Sequence, residues 1–185
     1  MEYATLQNGI KMPMEGFGVF QVRDKAECKR SVLDAIRAGY RLIDLCQFVE
    51  VTPAVNQVET HVFQQQKTAH EYMEKYGVQH ESWGPFAEGR KDFFSNPVLT
   101  EIGRKYGKSS AQTALRFLLQ SNVVVIPKST HKERMAQNID VFDFTLSEAD
   151  MEAIRKLDEG ESLFFSHYDP ATVEILTNMG KTRKA

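Results

Sequence analysis

Apolar and polar positions alternate at the start of the chain and then change to the spacing of a helix. Residues 3–13, YATLQNGIKMP, alternate around Asn8-Gly9, a dipeptide that favours a tight two-residue hairpin turn. The apolar run GFGVF follows and predicts a buried strand. Residues 24–39 then place apolar side chains at helical spacing behind a capping box, and they predict a helix that ends at Gly39.

The remainder of the chain repeats a strand-then-helix order with glycines between the segments. The patterns predict strands at 54–59, 78–84 and 122–129, and helices at 65–77, 96–107, 109–120 and 148–158. Alternating strands and helices are typical of parallel βαβ units. A closed parallel barrel needs eight such units in about 250 residues, and this chain of 185 residues supplies about half of them. We predict one domain, residues 1–185, with part of a (β/α)8 barrel behind an N-terminal β-hairpin.

Residues 41–50, RLIDLCQFVE, fit either a strand or a helix. The apolar positions are spaced three, one and three apart, at Leu42, Leu45, Cys46 and Val49. That spacing is the stripe of an amphipathic helix, whereas a half-buried strand needs strict alternation. We therefore predict a helix with Asp44 as a surface carboxylate. If residues 41–44 instead form a strand, Asp44 stands at its end and becomes a candidate catalytic residue.

Composition narrows the classes of partner. The formal net charge is −2, and no dense run of Lys or Arg indicates a nucleic-acid or membrane surface. No apolar run approaches the 18 or so residues of a membrane span, so we expect a cytoplasmic protein. His61, His70 and His80 lack the spacing of metal ligands, and we assign no metal.

Polar residues of three kinds cluster at the predicted end of the last strand. Two cations, two hydroxyls and two amides stand there, at Lys128, Ser129, Thr130, Arg134, Gln137 and Asn138. The carboxyl ends of parallel strands bind ligands, and helix N-termini favour phosphates. This set suits a phosphate group, and the alternative is an ordinary capped surface helix.

Two other segments offer ligand-binding groups. Trp83, the only tryptophan, ends a strand and is followed by Gly84, so an indole face lies beside a loop rich in backbone N–H groups. Taken alone, a tryptophan in this position is more often a core or rim residue. Gln57 lies in a strand that should be largely apolar, where its amide could bind a ligand or join a side-chain network within the sheet.

The motifs together resemble one enzyme family. The segments LQNGIKMPMEGFGVFQV, VTPAVNQVETH, HESWGPFAEGRKDFFSNPVLTEIGRKYG, VVVIPKSTHKERMAQN and LDEGESLFFSHYDP are similar to aldo/keto reductases, particularly the bacterial group that resembles 2,5-diketogluconate reductases. This resemblance implies NADP(H)-dependent reduction of a small aldehyde or ketone in a (β/α)8 barrel.

The resemblance also assigns cofactor contacts. Trp83 would stack on the nicotinamide, Gln57 would bond its carboxamide, and the loop from Phe86 to Arg90 would cover the pyrophosphate, with Phe20 lining the carbonyl pocket. Gly84 is also counted among the cofactor-binding residues. The 2′-phosphate would be held by Lys128, Ser129, Thr130 and Arg134, and the adenine would be contacted by Gln137 and Asn138.

The catalytic part of the family pattern is largely missing. The family has an aspartate at the end of the second strand, a tyrosine five residues later as proton donor, a lysine on the third strand and a histidine on the fourth. Here position 49 is Val49, and no matching lysine or histidine motif follows. A sequence like RLID also occurs in the fifth helix of the family, just before the sixth strand. A deletion that joined the second strand to the fifth helix would therefore leave this sequence. The retained strands would then be the first, sixth, seventh and eighth.

Two functions and one assembly follow from this resemblance. The chain is either a reductase with impaired activity, with Tyr40 or a residue from a partner chain as a substitute acid, or a noncatalytic NADP(H)-binding or non-functional remnant. An open four-stranded sheet would expose the edges of its first and sixth strands. Two copies could pair through these edges into a closed eight-stranded barrel, which predicts a homodimer.

Overall fold

A computed structural model describes most of the chain. The described residues are 2–5, 11–18, 25–38, 40, 42–44, 54–75 and 77–165. The chain begins with a hairpin of two antiparallel strands, β1 (Tyr3–Thr5) and β2 (Lys11–Pro13), in which Tyr3 lies opposite Pro13. The predicted hairpin is therefore confirmed, and its Asn8-Gly9 turn lies outside the described residues.

Five parallel strands follow the hairpin. They are β3 (Gly16–Gly18), β4 (Leu42–Asp44), β5 (Val55–Glu59), β6 (Gln79–Trp83) and β7 (Val124–Val125). β3 pairs with β4, and β6 pairs with both β5 and β7. Parallel bridges from Glu15 to Val125 and from Gly18 to Lys128 join β3 to β7. The strands thus form one open arc in the order β4, β3, β7, β6, β5.

Gly18 is required at the junction between β3 and β7. A Cβ atom at this position would lie 2.7 Å from the carbonyl oxygen of Ile126, closer than real Cβ contacts come. The Gly18 N–H donates a hydrogen bond to the carbonyl of Pro127 at 3.3 Å. A glycine therefore lets the two backbones approach each other at Lys128, where the predicted phosphate-binding residues begin.

Among the described residues, six α-helices cover the strands. They are α1 (Lys25–Ala38), α2 (Lys67–Lys75), α3 (Pro97–Tyr106), α4 (Ser110–Gln120), α5 (Lys132–Ile139) and α6 (Glu148–Arg155). All of the predicted helices outside residues 41–50 are present. The Asn96 side chain accepts hydrogen bonds from two N–H groups of the first turn of α3, and Ser109 forms a capping box with Gln112 at the start of α4. None of the helices in the described part of the chain is long and apolar enough to span a membrane.

Two apolar clusters hold the arc together. The larger lies among β7, α3, α4 and α6 and contains Leu99, Leu115, Leu118, Val124 and Ile154. A smaller cluster joins β3 to α1 and α5 and contains Phe17, Ala35, Tyr40 and Met135. Both clusters lie beneath helices, so the carboxyl ends of the strands are left for the loops.

The predicted helix at residues 41–50 is wrong for the part that the structure describes. Leu42–Asp44 form a strand in register with Gly16–Gly18, and Asp44 lies opposite Gly18. The reason is that β3 presents a row of backbone N–H and C=O groups, and pairing with it satisfies the backbone of both segments. Arg41 and residues 45–50 lie outside the described residues. The predicted four-stranded sheet is wrong for the same reason, since a strand equivalent to the second is also present.

Candidate functional site: a nucleotide-like cavity and an occupied indole

A cavity of about 500 Å³ opens where β7 passes into α5. Its lining includes every residue that the resemblance assigned to the 2′-phosphate and the adenine, namely Lys128, Ser129, Thr130, Arg134, Gln137 and Asn138. The Ser129 hydroxyl oxygen accepts a hydrogen bond from the His131 N–H at 3.1 Å, and this turn directs the chain into α5. Residues that are up to ten positions apart in sequence therefore face one cavity.

Cationic and aromatic side chains both line the cavity. Lys128 and Arg134 are exposed, and neither forms an ion pair with another residue in the described part of the chain. Phe86 and Phe94 also line it, their rings lie 5.7 Å apart, and Phe94 is 57% exposed. Cations together with aromatic rings suit a ligand with an anionic group and a flat ring. Sequence periodicity gave no signal for Phe94, because it lies in a single 3₁₀ turn, Phe93–Ser95.

A second cavity, of about 880 Å³, contains the other predicted contacts. Gln57, in the middle of β5, and Trp83, at the end of β6, line it together with residues 160–165. The Gln57 amide donates a hydrogen bond to Glu81 Oε1 at 2.7 Å. Of the two roles open to Gln57, the side-chain network is therefore present within the sheet.

The Trp83 indole is in contact with two phenylalanine rings. The Phe165 ring stacks on it at a centroid distance of 5.9 Å and an interplanar angle of 17°. The Phe164 ring lies at 5.1 Å and is tilted by 59°. Gly84, next in the chain, has a φ of +66° and faces Phe164 across ordinary contact distance. Neither phenylalanine could be predicted from the sequence pattern, since the segment that carries them has no strand or helix spacing.

The loop after Gly84 is strained and is tied to the same C-terminal segment. Four of its non-glycine residues adopt positive φ, at Ala87, Glu88, Lys91 and Asp92, a conformation that costs energy and persists where surrounding contacts enforce it. The Arg90 guanidinium lies 4.3 Å from the Phe164 ring centroid and donates to the Leu163 carbonyl. Lys91 pairs with Glu159.

Glu59, the last residue of β5, anchors that segment. Its carboxylate accepts hydrogen bonds from His61 Nε2 at 3.0 Å, from the Leu163 N–H at 2.9 Å and from the Ser162 hydroxyl. Burial alone would raise the pKa of Glu59, but these hydrogen bonds outweigh it and lower the pKa below the usual 4.5. Glu59 therefore stays ionised at neutral pH and holds residues 162–163 against the sheet. Among the described residues, no group of three His, Cys, Asp or Glu is placed to bind a metal ion.

Comparison with known proteins agrees with this geometry. A family model described as the aldo/keto reductase family matches residues 49–159. The chain belongs to the aldo/keto reductase family. It is 43% identical over 113 residues to methylglyoxal reductase DkgA of Escherichia coli, an alignment that covers 61% of this chain and 41% of that protein. It is 43% identical over 122 residues to glyoxal reductase of Bacillus subtilis, which covers 66% of this chain and 44% of that protein.

The fold has solved counterparts as well. A crystal structure of a Gox0644 mutant in complex with NADPH matches with a TM-score of 0.80 at 22% identity, covering 89% of this chain and 96% of that chain. This likeness supports the arc of parallel strands and helices. In contrast, the chain spans about two fifths of the length of the curated relatives that it matches.

Two residues considered for aldo/keto reductase chemistry lie at opposite ends of the same strand. Asp44 is the last residue of β4, at the carboxyl end of the parallel strands, where the family pattern has its aspartate. Tyr40 precedes the amino end of β4 and is fully buried, and its hydroxyl donates to Glu15 Oε1 at 3.3 Å. Burial raises the pKa of Tyr40 above its ordinary value of 10, and the neighbouring Glu15 raises it further. Tyr40 as a substitute acid is therefore wrong. Phe20 lies outside the described residues.

Proposed function

We propose that this chain binds NADP(H) and is an aldo/keto reductase-type oxidoreductase whose reduction of small aldehydes and ketones is impaired. The observation that carries the cofactor part is the convergence of six predicted contacts on one cavity at the end of β7. The carbonyl substrate and the cytoplasmic location are proposals of the same kind, drawn from the family.

The cavity fits the phosphorylated adenosine half of the cofactor. Its volume lies within the range of roughly 300–1,000 Å³ that small-molecule sites occupy. Lys128 and Arg134 supply two cations that form no ion pair with another described residue, and the Ser129 and Thr130 hydroxyls supply neutral hydrogen bonds. Gln137 and Asn138 offer amides to the ring edge of an adenine, with Phe86 and Phe94 as an apolar wall. Because a 2′-phosphate is the group that distinguishes NADP(H) from NAD(H), these cations predict a preference for NADP(H).

The set of residues needed for catalysis is less complete than the set of cofactor contacts. The cofactor would supply the hydride, and the chain must then supply a proton to the carbonyl oxygen. Asp44 is at the correct strand end, but the family's tyrosine position is Val49, and Tyr40 is buried at the other end. Removing a general acid lowers the rate by roughly 10²-fold to 10⁴-fold. We therefore expect slow turnover at best.

A noncatalytic NADP(H)-binding remnant is the second candidate. One observation favours it: the Trp83 indole, which would stack on the nicotinamide, already stacks on Phe165 at 5.9 Å. A chain that grips the adenosine half but leaves the nicotinamide poorly placed would bind the cofactor without turnover.

Binding is tested by titrating the chain with NADPH and NADH and following cofactor fluorescence. Charge-assisted hydrogen bonds contribute roughly 1.5–3 kcal/mol, so Lys128→Ala and Arg134→Ala should each weaken NADPH binding by about tenfold or more and leave NADH binding nearly unchanged. Lys132→Ala is the matched control, because Lys132 is an exposed cation of α5 that does not line the cavity. Equal affinity for NADPH and NADH would contradict the proposed site.

Turnover is tested by NADPH consumption with methylglyoxal and glyoxal, the substrates named for two of the relatives. Slow turnover that Asp44→Asn abolishes would support the impaired reductase. Cofactor binding without turnover would favour the noncatalytic alternative.

A further inference from the structure

The Trp83 indole carries an aromatic ring of its own chain in the orientation that a bound ring would take. The Phe165 ring is nearly parallel to it, at 17°, and this offset-stacked arrangement is the favourable one for aromatic pairs. Both side chains are only partly buried and line the 880 Å³ cavity, so the stack lies in the cavity and not in the apolar core.

Hydrogen bonds fix the position of the Phe165 ring. The backbone N–H groups of Phe164 and Phe165 both donate to the Ser162 hydroxyl oxygen at 3.1 Å, which forms a tight turn. Ser162 in turn donates to Glu59, and Glu59 also accepts from Leu163. The turn that presents Phe165 is thus fastened to the end of β5, one strand away from Trp83.

The same turn is connected to the loop after Gly84. Arg90 contacts both the Phe164 ring and the Leu163 carbonyl, and Lys91 pairs with Glu159. The segment from 159 to 165 therefore touches the indole on one side and the loop on the other, so a ligand ring on Trp83 would have to displace part of it.

We propose that Phe165 is an internal competitor for the Trp83 indole, which makes this chain selective for the 2′-phosphorylated adenosine half of its ligand over the nicotinamide half. This proposal rests on the proposed NADP(H) site. In the free protein Phe165 covers the indole, and the nicotinamide ring binds there only when Phe165 leaves. The adenosine half enters the separate cavity of Lys128 and Arg134 without this competition.

The experiment compares two ligands on variants of Phe165. Adenosine 2′,5′-bisphosphate carries the adenine and the 2′-phosphate but no nicotinamide, and NADPH carries both halves. Phe165→Ala should strengthen NADPH binding by roughly two- to tenfold, the range for one aromatic pair, and should leave binding of the bisphosphate unchanged. Phe165→Tyr keeps the ring and is the matched control, whereas Phe165→Leu keeps apolar volume without an aromatic ring and should behave like Phe165→Ala.

Trp83 is the only tryptophan, so intrinsic fluorescence reports on this stack directly. Its emission should shift in the Ala and Leu variants before any ligand is added, and it should be unchanged in the Tyr variant. Far-ultraviolet circular dichroism of each variant checks that the fold is retained.

The outcomes separate this inference from the proposed function. If the wild-type chain does not bind adenosine 2′,5′-bisphosphate, the nucleotide site itself is wrong. If it binds the bisphosphate but Phe165→Ala weakens NADPH binding or leaves it unchanged, then Phe165 supports the indole or is irrelevant to it, and the competition is refuted.

Discussion

The buried carboxyl of Glu15 offers a direct test of how this arc is stabilised. Glu15 has no exposed surface and precedes β3, beneath the small cluster that joins β3 to α1 and α5. One oxygen accepts the Tyr40 hydroxyl at 3.3 Å, and the other, Oε2, has no hydrogen-bond partner among the described residues. Burial raises the pKa of Glu15 well above its ordinary 4.5, and the hydrogen bond from Tyr40 offsets only part of that effect.

The sign of the pH dependence follows from this raised pKa. Glu15 binds its proton more tightly in the folded chain than in the unfolded chain. Protonation of Glu15 therefore stabilises the fold fully below about pH 4.5, and this stabilisation is lost as the pH rises through the folded pKa. Each pKa unit corresponds to about 1.4 kcal/mol. We therefore expect Glu15→Gln, which cannot ionise, to gain unfolding free energy relative to wild type as the pH rises from acidic to neutral, by about 1.4 kcal/mol for each pH unit between 4.5 and the folded pKa.

The assay is urea denaturation at several pH values from about 4 to 8, a range that starts near the pKa of this carboxyl in the unfolded chain. Glu133→Gln is the control, because Glu133 is exposed on α5 and the same charge is removed. The free energy of unfolding of wild type and of the control should fall more steeply with rising pH than that of Glu15→Gln. If the free energy of unfolding of wild type and that of Glu15→Gln change with pH in the same way, the raised pKa of the buried carboxyl is refuted.

Two further predictions concern stability and assembly. Burial alone would raise the pKa of Asp150, but hydrogen bonds from Lys105, Ser147 and Tyr106 lower it from 3.8 to about 2. Asp150→Asn should therefore lower the free energy of unfolding, measured by urea denaturation at neutral pH, by roughly 1–2 kcal/mol. This loss should shrink as the pH falls from 3.8 toward 2. Glu152→Gln on the same helix is the control and should not reproduce it. We also propose a homodimer that forms through the sheet edges at β4 and β5. Sedimentation velocity would detect this dimer, and a stable monomer at micromolar concentration would contradict it.

Local signals in the sequence predicted most of the helices. Asn96 and Pro97 mark the start of α3, and Ser109 with Gln112 marks the start of α4, because a cap is formed by residues within one turn of each other. The cluster from Lys128 to Asn138 was also predictable, since all of it lies within the β7–α5 connection and α5 itself. In each case the interacting residues are close in sequence.

Contacts between distant segments could not be predicted in the same way. The spacing of apolar residues after Arg41 favoured a helix, yet Leu42–Asp44 pair with a strand more than 20 residues earlier, and pairing of backbones outweighs a weak local preference. The stack of Phe165 on Trp83 joins residues that are farther apart still, and the turn that positions Phe165 depends on Glu59. Similarly, nothing near Glu15 in sequence indicates that Tyr40 is its partner.

The proposed nucleotide binding and the proposed carbonyl reduction depend on different parts of this arc. The cavity near Lys128 is lined by the loop after β6, the start of α4, the β7–α5 connection and α5, and α5 packs with β3 and α1 in the smaller apolar cluster. Asp44 reaches the same end of the sheet through β3, which is joined to β7 by bridges that include the one between Gly18 and Lys128. Weakening that junction would therefore move Asp44 relative to the cavity and would also disturb Lys128. Under the proposed function, the chain holds the adenosine end of the cofactor but lacks the alignment of groups that proton transfer requires.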